Sequence, residues 1–227
     1  MWEVFVAAAI WVGTHLGLSS TSVRQLLVQR LGAQGFLVVY SLIAAASLAY
    51  LIWIYTDVHR FDYAWLPNPD VYWVAKVSMP IALILMLGGF MVRNPTMVGA
   101  TLENPSQARD MATGVTRITR HPFQWAVVIW GLSHIVANGD WVSIIFFASF
   151  VVLSAAGTVL MDIKKAATMG EAWQAYAGVT SNFPFAAIVA GRNRLVLREL
   201  LLPVLAGLVA YALLYYFHES FTGTVVI

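Results

Sequence analysis

Six long apolar segments dominate this sequence, at 2–18, 36–56, 71–91, 122–138, 141–161 and 200–218. A helix that crosses a membrane needs about 20 mostly apolar residues, and each segment meets or nearly meets that length. Only 11% of the residues are charged, whereas a soluble domain carries about 25%. The sequence therefore predicts an all-α integral membrane bundle of about six transmembrane helices in a lipid bilayer, with long connecting loops.

Basic residues concentrate in alternate connections between these segments, and such connections remain cytoplasmic in membrane proteins. Both termini are therefore expected on the non-cytoplasmic side. The basic residues after the first, third and fifth segments are Arg24, Arg30, Arg93, Arg109, Arg117, Arg120, Lys164, Lys165, Arg192, Arg194 and Arg198, and those on the other side are Arg60 and Lys76.

Composition excludes several classes of function. The chain has no cysteine, which rules out disulfides, zinc–thiolate sites and thiol catalysis. Its formal net charge is only +2, which reflects membrane topology and does not indicate a nucleic-acid partner.

The first residues lack the basic region of a signal peptide and are interpreted as a retained first span. No repeat or linker divides the chain, so residues 1–227 are expected to form one domain.

Two connections, 92–120 and 162–199, are long enough to carry function. Asn-Pro pairs at 94–95 and 104–105 are turn signals in the first of them. The second contains GEAWQAY at 170–176, with Trp173 and Tyr176 at helical spacing. Both connections belong to the predicted cytoplasmic face, where we expect the functional site.

Two histidines, His15 and His121, lie near the predicted cytoplasmic ends of the first and fourth segments. Because Pro122 favours the first position of a helix, His121 is predicted to be its N-cap. Histidines of two helices at matching depth can build a cofactor site in a bundle core. Two interpretations stay open: interfacial histidines that bind loop carbonyls, or axial ligands of a haem iron.

Arg117 and Arg120 stand just before that predicted helix start, where guanidinium groups and free backbone N–H groups form an anion site. Haem propionates, lipid phosphates or a nucleotide-like cofactor would each fit such a site. The simpler interpretation is topology and phospholipid anchoring. Asp162 is the carboxylate nearest the proposed site, either as a partner of the ligands or, as we favour, as a charge at a helix end.

The other three histidines are assigned to the opposite face. His134 lies 13 residues beyond His121, about 20 Å along a helix, so these two cannot share one metal ion. It is interpreted either as a hydrogen-bonded core residue or as a functional one. His59 is expected in a solvated loop and His218 at the interface. The methionines of the third segment, Met79, Met86 and Met91, are assigned to packing.

Four motifs resemble the NnrU family of bacterial membrane proteins, which includes the plant 15-cis-zeta-carotene isomerases. They are RNPT at 93–96, RITRHP at 117–122, WGLSHIVANGD at 130–140 and GEAWQAYAGVTSNFPFAAIVAGR at 170–192. The resemblance extends over about residues 1–192 and implies haem b, with His121 as a ligand from the RHP motif and His15 from GTHLGLSS in the first helix. It also implies a bacterial inner membrane location and, in the isomerase branch, cis-to-trans isomerisation of a polyene.

A more distant resemblance is to the isoprenylcysteine carboxyl methyltransferases, which bind S-adenosylmethionine at the cytoplasmic face. The shared elements are RHP at a helix start, a hairpin, and a loop leading to a proline. Those enzymes carry paired glutamates before the loop glycine, where this chain has Lys164 and Lys165. That departure weakens a methyltransferase function.

Together these observations predict a haem b protein that acts on a cis double bond of a hydrophobic small molecule, a polyene. His15 and His121 are the predicted iron ligands, and Arg117 and Arg120 the predicted contacts of the cofactor. The name of the bacterial branch links it to nitrite and nitric oxide reductase gene clusters, so a non-catalytic haem or nitric-oxide-related accessory factor for denitrification is the first alternative. A methyltransferase relative is the second. Catalytic residues and oligomeric state stay open.

Overall fold

The computed structural model describes residues 1–19, 21–97 and 99–223, which form helices and contain no strand. The eight α-helices are α1 (Trp2–Ser19), α2 (Thr21–Asp57), α3 (Tyr72–Met91), α4 (Pro105–Asp110), α5 (Pro122–Asn138), α6 (Trp141–Val179), α7 (Ala186–Val189) and α8 (Leu197–Thr222). Two short 3-10 helices cover Pro69–Val71 and Gly114–Arg117. The predicted all-α class is confirmed.

Five helices within the described ranges, α1, α2, α3, α6 and α8, are long and apolar enough to cross a membrane. The predicted fourth span is also helical, but α5 has only 17 residues. At 1.5 Å per residue this gives about 26 Å, slightly less than a hydrocarbon core. All six predicted segments are therefore helices of an apolar bundle, and α5 is the shortest of them.

The helices pack in a row that places α5 and α6 at its centre. α3 packs against α5 and α8, α5 also packs against α6, and α6 in turn contacts α1, which pairs with α2. The short helix α4 packs on the far part of α6. Residues from α6, the loop before α5 and the loop after α6 can therefore meet at one end of the bundle.

Glycines allow the central helices to approach closely. A side chain at Gly131 of α5 would come within 2.6 Å of Val151 and 3.1 Å of the Phe147 carbonyl oxygen on α6. On the other side of the bundle, a Cβ at Gly207 of α8 would lie 2.8 Å from the backbone of Ile84 on α3. Both separations are shorter than normal van der Waals contacts. The close packing of these helix pairs therefore requires glycine, which has no side chain, at these two positions.

The predicted tight hairpin between the fourth and fifth segments is present. Gly139 ends α5 with a φ of 73°, which glycine adopts without a steric penalty. Asp140 then caps α6 by accepting a hydrogen bond from the Ser143 backbone N–H at 2.8 Å. The loop between α2 and α3 covers this hairpin, since the Ala64 N–H donates to the Gly139 carbonyl at 2.9 Å.

Helix α6 continues well beyond the predicted span end at residue 161. Its path changes at Gly170, whose φ of 53° and ψ of −126° are not helical. The predicted helix at 170–176 is confirmed as the part of α6 beyond this break, with both Trp173 and Tyr176 buried. This extension carries α6 past the start of α5, at what we call the basic end of the bundle, where α3 ends and α5 begins.

Candidate functional site

The segment before α5 has the local structure that its sequence predicts. His121 is the residue before the helix, with a φ of −116°, and Pro122 opens α5. The Thr119 hydroxyl donates to the Asn182 carbonyl and accepts from the His121 backbone N–H at 3.1 Å. This contact fixes the turn before α5 on the loop that follows α6.

One carboxylate organises the basic end. Asp162 of α6 lies 2.6 Å from His121 Nε2, 2.9 Å from Arg120 Nε and 3.3 Å from Asn182 Nδ2. Arg120 makes a second bond through Nη2, so it contacts both oxygens of the carboxylate. We call these four residues the Asp162 cluster. Our preferred interpretation of Asp162 as a mere charge at a helix end is wrong, because three side chains from two loops converge on it.

Burial favours the neutral form of His121. Its side chain is 0% exposed, and this loss of water lowers the pKa of the imidazole, with a smaller lowering from Arg120 and an opposing effect of Asp162. An ionised carboxylate only accepts hydrogen bonds, so the ring proton belongs on Nε2 and points to Asp162. Nδ1 then carries a lone pair, and it is buried without a hydrogen-bond partner among the described residues.

Arg117 belongs to a second ion pair, separate from the Asp162 cluster. Its Nε and Nη2 bind the two oxygens of Glu199 at 2.7 and 2.9 Å, and its Nη1 binds Asn193 at 2.9 Å. Glu199 also accepts from the Gly114 N–H at 2.6 Å. Arg117 thus ties the 3-10 helix to the start of α8. Arg117 and Arg120, the two arginines predicted to contact a cofactor, are thus both paired with carboxylates of the protein. Their contact with a cofactor stays a prediction.

His15 lies in a different cluster. Its Nδ1 donates to the Trp11 carbonyl at 2.8 Å, and its ring lies 5.8 Å from that of Tyr40 on α2. Trp11 packs on Phe150 of α6, and α1 and α6 continue from there toward the basic end. Along α1, His15 lies four residues beyond this contact, and along α6, Asp162 lies twelve residues beyond it. The difference corresponds to about 12 Å along the helices. His15 and His121 thus have different neighbours, and their joint ligation of one haem stays a prediction.

Aromatic side chains form one wall of the Asp162 cluster. The Arg120 guanidinium lies 5.9 Å from the centre of the Trp173 ring, within the range of a cation–π contact. Trp125 of α5 donates from Nε1 to Asn182 at 3.4 Å. Asn182 lies in the TSNFP part of a motif already quoted, but no regular spacing links it to Asp162. That motif was the only signal by which the sequence could have identified it.

The remaining histidines lie outside the Asp162 cluster. His134 donates from Nδ1 to the Trp130 carbonyl at 2.8 Å and stacks on Phe147 with ring centroids 4.7 Å apart. This arrangement favours the interpretation of His134 as a hydrogen-bonded core residue. His59 is exposed and stacks on Phe61. His218 lines a small cavity of about 80 Å³ together with His134.

A larger cavity of about 460 Å³ lies in the connection after α3. We call it the loop cavity, and its lining residues are Arg93, Asn94, Ala100, Thr101, Leu102, Glu103, Asn104, Gln107 and Met111. Neither His15 nor His121 lines this cavity or the small one. Within the described residues, no group of three or more His, Asp or Glu side chains could hold a bare metal ion.

The whole chain was then compared with known proteins. Residues 3–226 match the family described as "NnrU protein". The chain belongs to the NnrU family. A curated relative of this NnrU protein is the "15-cis-zeta-carotene isomerase, chloroplastic" of Zea mays, at 36% identity over 83 residues. The match covers 37% of this chain and only 23% of the maize protein. No solved structure matches.

The Asp162 cluster of this NnrU protein has a clear chemical capacity. Histidines that bind a metal generally donate their second ring nitrogen to a carboxylate or carbonyl, which fixes the ring and raises its basicity. His121 has this arrangement, with Nε2 on Asp162 and Nδ1 unpartnered. A haem brings four ligands of its own and requires only one or two from the protein. His121 therefore offers one imidazole nitrogen of the type that a haem iron takes. Its side chain is 0% exposed, and ligation of a haem there stays a prediction.

Proposed function

We propose that this NnrU-family protein is a haem b-binding integral membrane isomerase that acts on a cis double bond of a hydrophobic polyene. Family membership over residues 3–226 and the partial similarity to a protein named 15-cis-zeta-carotene isomerase support the proposal. The apolar helices support a lipid bilayer as its environment, in which such a substrate dissolves.

The unpartnered Nδ1 of His121 is the observation that carries the proposal. A buried lone pair without a partner is uncommon, since nearly all buried polar groups form hydrogen bonds. An iron ligated there would satisfy it. When bound, haem would supply an iron that serves as a Lewis acid or a one-electron partner at the double bond.

The other residues of the Asp162 cluster would prepare His121 for that ligation. Asp162 holds the Nε2 proton and orients the ring. Arg120 balances the carboxylate charge, so the cluster keeps Asp162 ionised without protonating His121. Asn182 and Trp125 surround the cluster with further hydrogen bonds and apolar surface. His15 stays the predicted second ligand, and its Nδ1 bond to the Trp11 carbonyl leaves Nε2 for such a role.

The proposal is tested with the purified protein, expressed with an ample haem supply. We expect a Soret band. We also expect conversion of 15-cis-zeta-carotene in lipid vesicles to the isomer in which that double bond is trans, measured by chromatography. A coloured protein that leaves the polyene unchanged would instead support the accessory haem function. A protein that purifies without haem would contradict the proposal.

The His15→Ala variant separates the two ligation schemes. If His15 is the second axial ligand, its removal converts a six-coordinate spectrum into a five-coordinate one. An unchanged spectrum would show that His15 does not bind the iron. The Trp11→Phe variant is the control for disturbed packing around His15. It changes a ring that packs on His15 but cannot bind iron.

A further inference from the structure

The loop cavity is a second candidate site, on which the proposed function does not depend. Its volume of about 460 Å³ falls in the range of small-molecule sites, about 300–1,000 Å³. It is formed by the connection that follows α3 and by the start of α4, and its floor includes Leu102, which belongs to the buried cluster around Tyr176. A cavity of this size on a packed floor can hold the polar part of a ligand.

The lining of the loop cavity contains both a cation and an anion. Arg93 and Glu103 line it from two points of the connection. Throughout the described ranges, neither side chain forms an ion pair or a hydrogen bond, with the other or with a third residue. The cavity therefore presents one positive and one negative group, both available to a ligand.

Asn94 adds a buried donor beside Arg93. Its side chain is 5% exposed, and its Oδ1 accepts from the Thr96 backbone N–H and hydroxyl, both at 2.9 Å. These bonds fix the amide orientation and leave Nδ2 as the donor, which has no partner in the described part of the chain. An oxygen atom of a ligand bound to Arg93 would satisfy this donor as well.

Hydrogen bonds from α6 hold the wall of the loop cavity in place. Lys165 of α6 donates from Nζ to the Ala100 carbonyl at 2.8 Å and to the Met97 carbonyl at 3.4 Å. The same Thr96 hydroxyl lies 3.0 Å from the Arg120 carbonyl and can donate there instead of to Asn94, which connects the cavity to the Asp162 cluster. A preformed wall reduces the entropic cost of binding, so the cavity is suited to a specific ligand.

We propose that the loop cavity binds a compact zwitterion that carries a phosphate and a primary ammonium group, as in an ethanolamine phospholipid headgroup. Arg93 and Asn94 would bind the phosphate oxygens, and Glu103 the ammonium. A purely anionic group fits less well, because Glu103 would repel it. Helix α3 ends at Met91, only two residues before Arg93, which places the cavity at headgroup level in a membrane crossed by α3.

Native mass spectrometry of the detergent-purified full chain tests the proposal with three lipids of equal chain length. We expect phosphatidylethanolamine to bind at least about tenfold more tightly than phosphatidylglycerol, which lacks the ammonium, and than phosphatidylcholine, whose ammonium has no N–H to donate. Arg93→Ala and Glu103→Ala should each reduce phosphatidylethanolamine affinity about tenfold. Arg109→Ala and Glu171→Ala, which alter exposed charges outside the cavity, should leave the affinity unchanged.

Competition with free O-phosphoethanolamine identifies the source of the ligand. Displacement of the lipid indicates a soluble zwitterion, and no displacement indicates the lipid itself; both results support the site. Equal binding of the three lipids would contradict it. So would wild-type lipid selectivity in the Arg93→Ala and Glu103→Ala variants, whose exposed side chains should not be needed for folding, as their unfolding temperatures would verify.

Discussion

At the residue scale, Asp162 is the side chain on which the site depends. It accepts hydrogen bonds from three residues that come from two loops, and only 19% of its side chain is exposed. Its Arg120 partner is 14% exposed. Removing one member of such a pair leaves a charge with neither a partner nor full hydration, which is more costly than the pair is stabilising.

We therefore expect Asp162→Ala to destabilise the protein by about 3 kcal/mol, because Arg120 and His121 lose their common partner. Unfolding by denaturant in detergent, followed by tryptophan fluorescence, measures the loss. Glu171→Ala removes an exposed carboxylate from the same helix and is the matched control, with an expected change within about 0.5 kcal/mol. Equal stabilities of the two variants would show that the Asp162 cluster contributes nothing to the fold.

The sequence predicted His121 better than its partner. The residue before Pro122 is recognisable as a helix cap from two adjacent residues, and the structure confirms it. The contact with Asp162 joins residues 41 positions apart, and a pattern of apolar residues indicates depth in the membrane but not rotation about the helix axis. Matching depth and the family resemblance both suggested His15 as a partner of His121. His15 packs on Trp11 and Tyr40, and its pairing with His121 stays a prediction.

At the element scale, the close approach of α5 and α6 positions the Asp162 cluster. His121 begins one helix and Asp162 lies on the other, so their contact requires the two helices to stay at a fixed distance. Gly131 permits that distance, since a Cβ there would overlap Val151 and the Phe147 backbone.

Gly131→Ala should accordingly lower the free energy of unfolding by about 1–3 kcal/mol, the usual cost of overpacking. Gly157→Ala on α6 is the control, because a Cβ there meets no atom within 4 Å. In that helical position, where a Cβ would meet open space, alanine should stabilise by up to about 1 kcal/mol. Thermal unfolding of both variants measures the contrast, and a loss of stability in Gly157→Ala as large as that in Gly131→Ala would refute this explanation.

Element boundaries were predictable only where local chemistry determines them. The hairpin at Asn138–Asp140 follows from a glycine and an Asp cap, and it is confirmed. The end of α6 was placed near residue 161 because Lys164 and Lys165 interrupt the apolar pattern. The helix nevertheless continues, and Lys165 binds carbonyls of the loop after α3, a tertiary contact that no local pattern reveals.

At the scale of the whole molecule, the bundle and its apolar character were predicted from composition and segment length. The segment at 122–138 is a helix of 17 residues, at the short limit for a span. Its role in the topology follows from its packing between α3 and α6 and from the hairpin that joins it to α6. With α5 as a crossing helix, we expect both termini on the side opposite the basic end.

Reporter fusions test this arrangement. Fusions after Arg30, within 97–115 and within 165–195 should report the cytoplasm, because alternate basic loops remain there. A fusion at the C-terminus should report the opposite side. A cytoplasmic C-terminus would mean that one of the six helices does not cross the membrane, with α5 the first candidate because of its length.

The central claim is that His121 holds a haem iron, and the absorption spectra of two variants test it most directly. His121→Ala removes the unpartnered Nδ1, whereas His134→Ala removes an imidazole of the same helix whose Nδ1 is bound to a carbonyl. With equal expression, membrane insertion and haem supply, we expect His121→Ala to lose the Soret band or to change its coordination, and His134→Ala to keep the wild-type Soret position. A wild-type haem spectrum in a folded His121→Ala protein would contradict the account.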